Sequence, residues 1–229
     1  MLTLGIPSFR LEKDVVNAEI DVLKELGVEF RFGVEVGKNM TLDALRADGY
    51  KAIYLAVGAS KGTPAGCPGD DLKGVFTGVE FLRAVNLGKR PTIGKQVAVI
   101  GGGLTGCEIA YELALQGKQP VIVEMKNDLI AQTGVCLANS SYLREWFAWK
   151  KVPVYLETTL QEVKDDSIVC KDASGKEITI PCDSVISSAG YIPNPLAPKG
   201  SNVSLVGDCD GVGNLRSVVW RAYEVAMKI

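Results

Sequence analysis

The sequence predicts an α/β protein with a parallel sheet, and three observations support this prediction. Residues 96–125 read in order as a strand, a glycine-rich turn, a helix, a short loop and a second strand. Apolar, strand-like segments that end on glycine lie on both sides of this stretch, and a hairpin pattern occupies residues 167–181. Strands that alternate with helices are typical of parallel sheets, and the hairpin indicates an added antiparallel meander.

The glycine-rich turn has the spacing of a dinucleotide-binding unit. Gly101, Gly103 and Gly106 form the pattern G-x-G-x-x-G directly between a strand and a helix. The first glycine permits the sharp turn, the second lets the backbone approach a pyrophosphate, and the third lets the helix lie close to the strand. The amides at the helix start, at Leu104 and Thr105, then face the phosphate charges. The turn therefore predicts a dinucleotide site, the alternative being a glycine turn that binds no nucleotide.

Two carboxylates beside this turn are candidate cofactor ligands. Glu124 ends the second strand about 20 residues beyond the glycines, where a carboxylate accepts hydrogen bonds from ribose hydroxyls and repels a 2′-phosphate. This position, followed by Met125, favours NAD(H) over NADP(H), while Lys126 offers a cation that could point toward such a phosphate. Glu108, early in the helix, either faces the nicotinamide ribose or simply complements the helix dipole.

Hydrophobic periodicity predicts the remaining elements. We expect helices over residues 14–26, 42–46, 76–85, 142–151 and 214–229, and strands over residues 29–32, 52–57, 185–190 and 203–208 and within residues 152–162. The segment 52–57 is a continuous apolar run and is expected to be buried, and the last helix is expected to have a buried apolar face that includes Val218 and Val225. Asp208 ends the last strand, where its carboxylate either binds a sugar or ribityl hydroxyl or caps the backbone that follows.

Composition limits the classes of function. Lys+Arg 25 against Asp+Glu 27 gives a net charge of -2 without a dense basic block, so nucleic acid is not an expected partner. No apolar run approaches the ~20 residues that cross a bilayer, so we expect a cytoplasmic protein with no membrane partner. The six cysteines form no C-x-x-C pair and are interpreted as small buried residues rather than metal ligands. Because the chain has no histidine, its chemistry must rest on a cofactor, carboxylates, lysine, tyrosine or backbone amides.

Three further motifs occur in the order found in pyridine nucleotide–disulfide oxidoreductase-like flavoproteins, which this chain resembles. They are Ala56-Val-Gly-Ala59, Ser188-Ala-Gly-Tyr191 and Leu205-Val-Gly-Asp208. In that family a Rossmann-like, nicotinamide-binding domain is inserted into an FAD-binding domain. The resemblance implies a partial FAD-binding domain and linker at residues 1–92, an NAD(P)-binding domain at 93–188 and a return to the FAD-binding domain at 189–229. It also implies cofactor contacts at Gly58, Ala59, Ala189, Gly190, Gly207, Asp208, Asn214 and Leu215, with Asp208 on the ribityl or pyrophosphate part of FAD.

Within that family the chain is similar to two groups. The later motifs, including Gly190-Tyr-Ile-Pro-Asn-Pro-Leu196, look like the carboxy-terminal part of 2-enoate and 2,4-dienoyl-CoA reductases of the Old Yellow Enzyme type. This resemblance implies an electron-input module that passes hydride from NADH to FAD for reduction of an activated alkene. The opening segment, residues 5–15, instead resembles the glutamate synthase small subunit, which implies an NAD(P)H:flavin reductase module. The third hypothesis is a nucleotide-binding fragment without activity of its own.

The chain departs from the family pattern at its beginning. It starts just past the position of the first FAD glycine fingerprint, and it contains neither an FMN-binding barrel nor the cysteines that hold a 4Fe–4S cluster. We therefore expect FMN and the cluster only in N-terminal regions of a longer protein, and we assign no catalytic residue and no metal ligand here. An incomplete FAD sheet would expose apolar surface, so self-association into a homo-oligomer is expected.

Overall fold

The structure is a computed structural model that describes residues 2–58, 61–131, 134–193, 195, 198–200 and 202–229. In chain order the helices and strands are α1 (Lys13–Glu25), α2 (Leu42–Ala47), β1 (Val75–Thr77), α3 (Gly78–Asn86), β2 (Gln96–Ile100), α4 (Leu104–Leu115), β3 (Gln119–Val123), α5 (Leu137–Lys150), β4 (Val154–Tyr155), β5 (Thr159–Val163), β6 (Ser167–Lys171), β7 (Glu177–Pro181), β8 (Ser184–Ser187) and α6 (Leu215–Ala226). Internal contacts divide the chain into two compact units, one mainly residues 59–193 and the other mainly residues 8–58 and 194–229.

The first unit is built on a parallel sheet of five strands in the order β1-β8-β2-β3-β4. Strand β2 is central and pairs in parallel with β3 on one side and with β8 on the other. Helix α4 connects β2 to β3, as a parallel pair requires. The predicted strand–turn–helix–strand unit and the predicted parallel α/β fold are both confirmed.

The sheet lies between two apolar cores. On one face, Ile109, Leu113 and Phe147 of the helices pack with alternate sheet residues such as Val97 and Val99 in one cluster. On the other face, residues such as Ala98 and Val121 pack against the small antiparallel sheet β5-β6-β7. Because both faces are covered, β2 and β3 are buried and apolar after the exposed glutamine that begins each strand, except for the half-buried Ile100.

The antiparallel sheet is the predicted hairpin extended by β5. The turn between β6 and β7 is closed by Asp172, whose Oδ1 accepts hydrogen bonds from the backbone N–H groups of Ser174 and Lys176. The hydroxyl of Ser174 also donates to this oxygen, and these donors hold the pKa of Asp172 below its ordinary value. The turn is thus fixed by one side chain, as is common for aspartate.

Helix α3 begins later than the sequence predicts. Thr77 accepts a hydrogen bond from the backbone N–H of Glu80, and the Glu80 carboxylate accepts from the backbone N–H of Thr77. This reciprocal cap starts the helix at Gly78 and leaves residues 75–77 free to form β1, which pairs with β8. Strand β1 and helix α3 therefore belong to the first unit, together with β2.

The second unit differs from three expectations. Residues 29–32 and 52–57 do not form strands, and Tyr54, Leu55 and Val57 are exposed. In place of the predicted strand at 203–208 there is an isolated bridge between Gly200 and Val203, followed by a 3₁₀ turn, Gly207–Cys209. A strand requires a hydrogen-bonded neighbour, and the described residues of this unit supply none.

Helix α6 forms where it was predicted, but its apolar face is not buried. None of its residues is buried, and Val219, Trp220 and Tyr223 are each more than half exposed. The predicted buried face is therefore wrong, because no described element of this unit covers it. In α1 only Val16 is buried.

The described residues also limit two further classes of feature. None of their helices combines the length and the apolarity needed to span a bilayer. Nor do these residues bring together three potential metal ligands.

Candidate functional site

The glycine turn lies at the carboxyl end of β2, between two neighbouring strand ends. The N–H of Gly101 donates to the carbonyl of Val123 at the end of β3, 2.8 Å away. On the other side, the N–H of Ser188, just after β8, donates to the carbonyl of Ile100 at 2.7 Å. The order of the strands reverses at this point, because β3, the next strand in the chain, lies on one side of β2 and β8, the last strand, lies on the other. Such a reversal is where parallel α/β sheets bind ligands.

Two of the motif glycines are required by close backbone contacts. Gly101 has φ 104°, and a Cβ there would lie 2.5 Å from the carbonyl oxygen of Ser188. A Cβ on Gly106 would overlap the carbonyl oxygen of Gly101. The helix therefore lies directly against the turn, which is the packing that the sequence predicts for the third glycine.

Gly103 is the N-cap of α4 and has an extended backbone, with φ −67° and ψ 177°. No side chain caps this helix start, and the first turn, which contains Leu104 and Thr105, holds no acidic residue. The first amides of a 12-residue helix thus lack a side-chain acceptor and carry the positive end of the helix dipole. This arrangement suits a phosphate group.

Glu124 follows β3 and directs its carboxylate into the turn. Its Oε2 accepts a hydrogen bond from the N–H of Gly102 at 2.5 Å, and its Oε1 accepts one from the N–H of Lys126 at 2.8 Å. The residue is only 7% exposed. Each carboxylate oxygen keeps a second lone pair, so the group can still accept from ribose hydroxyls. Glu124 also closes the turn, a structural role that the spacing did not predict.

The carbonyl of Gly102 is held as firmly as its N–H. It accepts a hydrogen bond from the N–H of Ile130 at 2.7 Å and a weaker one from the thiol of Cys107 at 3.3 Å. The side chain of Leu129 lies where a Cβ on Gly102 would project. The loop after β3 therefore returns to the glycine turn and braces it.

Arg144 of α5 holds this loop in place. Its guanidinium pairs with both carboxylate oxygens of Asp128, at 3.0 and 2.8 Å, and also donates to the carbonyl of Leu129 at 2.5 Å. Arg144, Asp128 and Ile130 could not be predicted from the sequence, because their contacts join residues 15 to 28 positions apart in the chain. No local motif marks such contacts.

Cys107 is buried beneath the turn and is not a reactive thiol. Burial, followed by the nearby carboxylate of Glu124, raises the pKa of Cys107 from 9.0 to about 12. The interpretation of the cysteines as buried residues holds for Cys107, Cys170 and Cys182, whereas Cys136 is exposed.

Two other predicted site residues lie in different settings. Glu108 belongs to the second turn of α4 and is 7% exposed. Because the dipole effect falls off within the first turn, the structure does not support the alternative that Glu108 simply complements the helix dipole. Met125 is 70% exposed immediately beyond Glu124. Its side chain is therefore open to a ligand at the strand end.

Ala189 and Gly190 follow β8 and are exposed near the same sheet edge. Gly190 has φ 95°, and its carbonyl accepts a hydrogen bond from the hydroxyl of Thr63 at 2.9 Å. The hydroxyl of Ser187 donates to the carbonyl of Thr63. The segment after β8 is thus joined to the strand-free segment before β1.

The predicted flavin-contact residues of the second unit are only partly organised. Gly58 has φ 62° and is exposed, and Ala59 lies outside the described residues. Asp208 accepts a hydrogen bond from the N–H of Gly213 at 3.1 Å, which corresponds to the backbone-capping alternative. Gly207 is buried with φ 73°.

The start of α6 in the same unit is closed by a side chain. The side chain of Asn214, which precedes Leu215, accepts a hydrogen bond from the backbone N–H of Ser217. The hydroxyl of Ser217 in turn accepts one from the backbone N–H of Asn214. Unlike the start of α4, the start of α6 therefore has a side chain that caps one of its first amides.

These features fit the adenosine diphosphate part of a dinucleotide. The turn of the first unit provides a backbone cradle, uncapped amides and a carboxylate at the strand end. Among the described residues no second strand–glycine turn–helix unit exists for the pyrophosphate of FAD. The contacts of the first unit therefore support a dinucleotide site at its glycine turn.

A separate cavity of about 650 Å³ lies at the opposite, amino-terminal edge of the sheet. It is bordered by the ends of α4 and α5, with Trp146, Tyr155 and Lys151 among its lining residues. The lysines there adjoin helix carboxyl ends, where cations balance the dipole. The cavity is not part of the dinucleotide site.

The fold and the glycine turn together define a dinucleotide-binding α/β protein. The chain belongs to the pyridine nucleotide-disulphide oxidoreductase family, whose model matches residues 9–210. This family consists of NAD(P)H-dependent flavin oxidoreductases, and the resemblance inferred from the motifs is confirmed.

Relatives come from both groups that the sequence resembles. A cinnamate reductase of Clostridium sporogenes is 32% identical over 232 residues, which is 98% of this chain and 33% of that protein. The small chain of an NADPH-type glutamate synthase from Halomonas elongata is 30% identical over 248 residues, 97% of this chain and 52% of that protein. The chain thus spans between a third and about half of the length of these relatives.

A solved structure has the same fold. A 2-naphthoyl-CoA reductase in complex with 2-naphthoyl-CoA superposes with a TM-score of 0.79 at 24% identity, over 100% of this chain and 34% of that one. Together the relatives show a flavin-linked NAD(P)H oxidoreductase module.

Proposed function

We propose that this chain is the NADH-binding electron-input module of a flavin-dependent reductase of the enoate type. The observation that carries the proposal is the uncapped start of α4 beside the glycine turn, with the Glu124 carboxylate at the adjacent strand end. The helix amides bind the pyrophosphate, and the carboxylate accepts the adenosine ribose hydroxyls. When bound, the nicotinamide supplies a hydride, which in the complete protein passes to a flavin and then serves to reduce an activated alkene.

The preference for NADH rests on charge. A 2′-phosphate would lie against the carboxylate of Glu124, which is 7% exposed and so poorly screened by solvent. The glutamate synthase relative, in contrast, belongs to an NADPH-type enzyme. Lys126 follows at the loop start and is the cation that would favour NADPH if its side chain turned toward the site.

Isothermal titration of the full chain with NADH and NADPH tests the proposal. We expect NADH to bind more tightly, and absence of NADH binding would remove the proposed function. Glu124→Gln keeps an oxygen that accepts from Gly102 but removes the charge. The ratio of the Kd for NADPH to the Kd for NADH should therefore fall about tenfold. Glu124→Ala also removes the acceptor for Gly102 and should weaken both cofactors. Equal changes for both cofactors in Glu124→Gln would contradict the argument from charge.

A second candidate is a module like the glutamate synthase small chain, which is supported by the 97% coverage of this chain. The two candidates differ in the final electron acceptor, so turnover with cinnamate-like enoates by the complete protein would favour the first. A nucleotide-binding fragment without activity remains the third. It is favoured if the purified chain binds NADH but neither binds nor reduces a flavin.

The proposed domain plan keeps the insertion order implied by the motifs. Residues 93–188 carry most of the nicotinamide-binding domain, and β1 from the preceding linker completes its sheet by pairing with β8. The rest of residues 1–92 contributes part of a flavin-binding domain, to which residues 189–229 return. We also propose a cytoplasmic location and self-association. Light scattering over a range of protein concentrations tests the latter, and a constant monomer mass would exclude it.

A further inference from the structure

The peptide group between Leu129 and Ile130 is held at both ends. Its carbonyl oxygen accepts a hydrogen bond from Nη2 of Arg144 at 2.5 Å, and its N–H donates to the carbonyl of Gly102 at 2.7 Å. Because a peptide group is planar and rigid, fixing the oxygen also fixes the direction of the N–H. A single peptide group therefore connects α5 to the glycine turn.

This orientation of the peptide group is unfavourable for the backbone of Ile130. Ile130 has φ 50°, a left-handed conformation that β-branched residues rarely adopt. Rotation of the 129–130 peptide group by about half a turn would return φ to the extended region. The same rotation would direct the N–H away from Gly102. Arg144 is the side chain that opposes this rotation, and its bidentate pair with Asp128 fixes its own position.

We propose that Arg144 is a positioning residue for dinucleotide binding, acting through the Leu129–Ile130 peptide group on Gly102. Gly102 donates to Glu124 and accepts from Ile130, so the loop sets both the phosphate-binding turn and the carboxylate beside it. This inference rests on the proposed function, since the ligand is the same dinucleotide.

The binding test compares the effect of Arg144→Ala in two variants of Ile130, one in which residue 130 disfavours positive φ and one in which it accepts it. In the full chain, Arg144→Ala should raise the Kd for NADH about tenfold, and Arg144→Lys, which keeps the charge without the fork, should give a smaller rise. In an Ile130→Ala background the effect of Arg144→Ala should persist. In an Ile130→Gly background it should fall below about twofold, because glycine accepts positive φ without support. An equal effect in both backgrounds overturns the proposal.

A second measurement needs no ligand and keeps the two proposals distinguishable. Amide hydrogen exchange by NMR should show the Ile130 N–H exchanging about tenfold faster in Arg144→Ala than in the unmodified chain. Arg221→Ala, which breaks the separate ion pair with Asp210, is the control and should leave this amide unchanged. If the unmodified chain binds no NADH, the proposed function fails, and an unchanged Ile130 amide still overturns the positioning role by itself.

Discussion

Gly101 and Gly117 both adopt positive φ, 104° and 78°, but only Gly101 faces another part of the backbone. In Gly117→Ala the added methyl group meets no atom within 4 Å, so the cost is conformational, about 1–2 kcal/mol. In Gly101→Ala the overlap with Ser188 adds about 1–3 kcal/mol, and NADH binding should be lost. Urea unfolding of both variants, with an NADH titration, measures these effects. Equal destabilisation would show that the contact with Ser188 is unimportant.

The buried thiol of Cys107 gives a pH dependence with a definite sign. Its folded pKa, about 12, lies above the ordinary value of 9.0, so only the unfolded chain ionises this thiol between those values. The contribution of the Cys107 thiol to the free energy of unfolding is therefore fully present below pH 9 and is lost as the pH rises toward 12. Cys107→Ala should flatten the fall in unfolding free energy above pH 9.5 by up to about 1.4 kcal/mol per pH unit. Cys136→Ala, at an exposed position, is the control, and identical slopes in the two variants would refute the assignment.

The residues of the site that act through local spacing could be predicted from the sequence. Gly101, Gly106 and Glu124 lie within one motif, and their close contacts follow from its geometry. Arg144 and Ile130 were not predictable, since their effect depends on a loop that folds back onto the turn.

The C-cap residue that follows helix α5, Lys151, has a backbone conformation that favours glycine. Lys151 has φ 54° and ψ 38°, and the N–H of Val152 bonds back to the carbonyl of Phe147. Lys151→Gly should stabilise the first unit by about 1 kcal/mol, because glycine adopts this conformation without the Cβ penalty. Lys150→Gly, at the last residue of the helix, should instead destabilise the first unit by up to about 1 kcal/mol. Urea midpoints of the pair test this, and changes of the same sign would contradict it.

Elements were predictable where their partners lie in the same unit. The strands β2, β3 and β8 read as buried apolar runs, and β3 and β8 each pair with β2. The run at residues 52–57 has the same pattern, yet it stays exposed because no described strand of its unit pairs with it. A pattern shows that a segment can be buried, and the partner decides whether it is.

The two units should differ in the protection of their backbone amides. The first unit has two apolar clusters around paired strands, whereas Val16 is the only buried large apolar side chain among the described residues of the second. Hydrogen exchange with mass spectrometry should therefore show peptides from β2, α4 and β8 exchanging at least about a hundredfold more slowly than peptides from residues 42–58 and 215–226. Slow exchange in α6 would mean that its apolar face is covered in solution.

The position of β8 has a consequence for how the chain folds. This strand is the last of the sheet in sequence, but it lies between β1 and β2, which precede it by about a hundred residues. During synthesis β1 has no neighbour to pair with, and one edge of β2 stays open, until residue 187 has been made. Such long-range closure slows folding and leaves strand edges exposed to other chains meanwhile. Pairing of β8 therefore both completes the sheet and removes the exposed strand edges to which another chain could bind during synthesis.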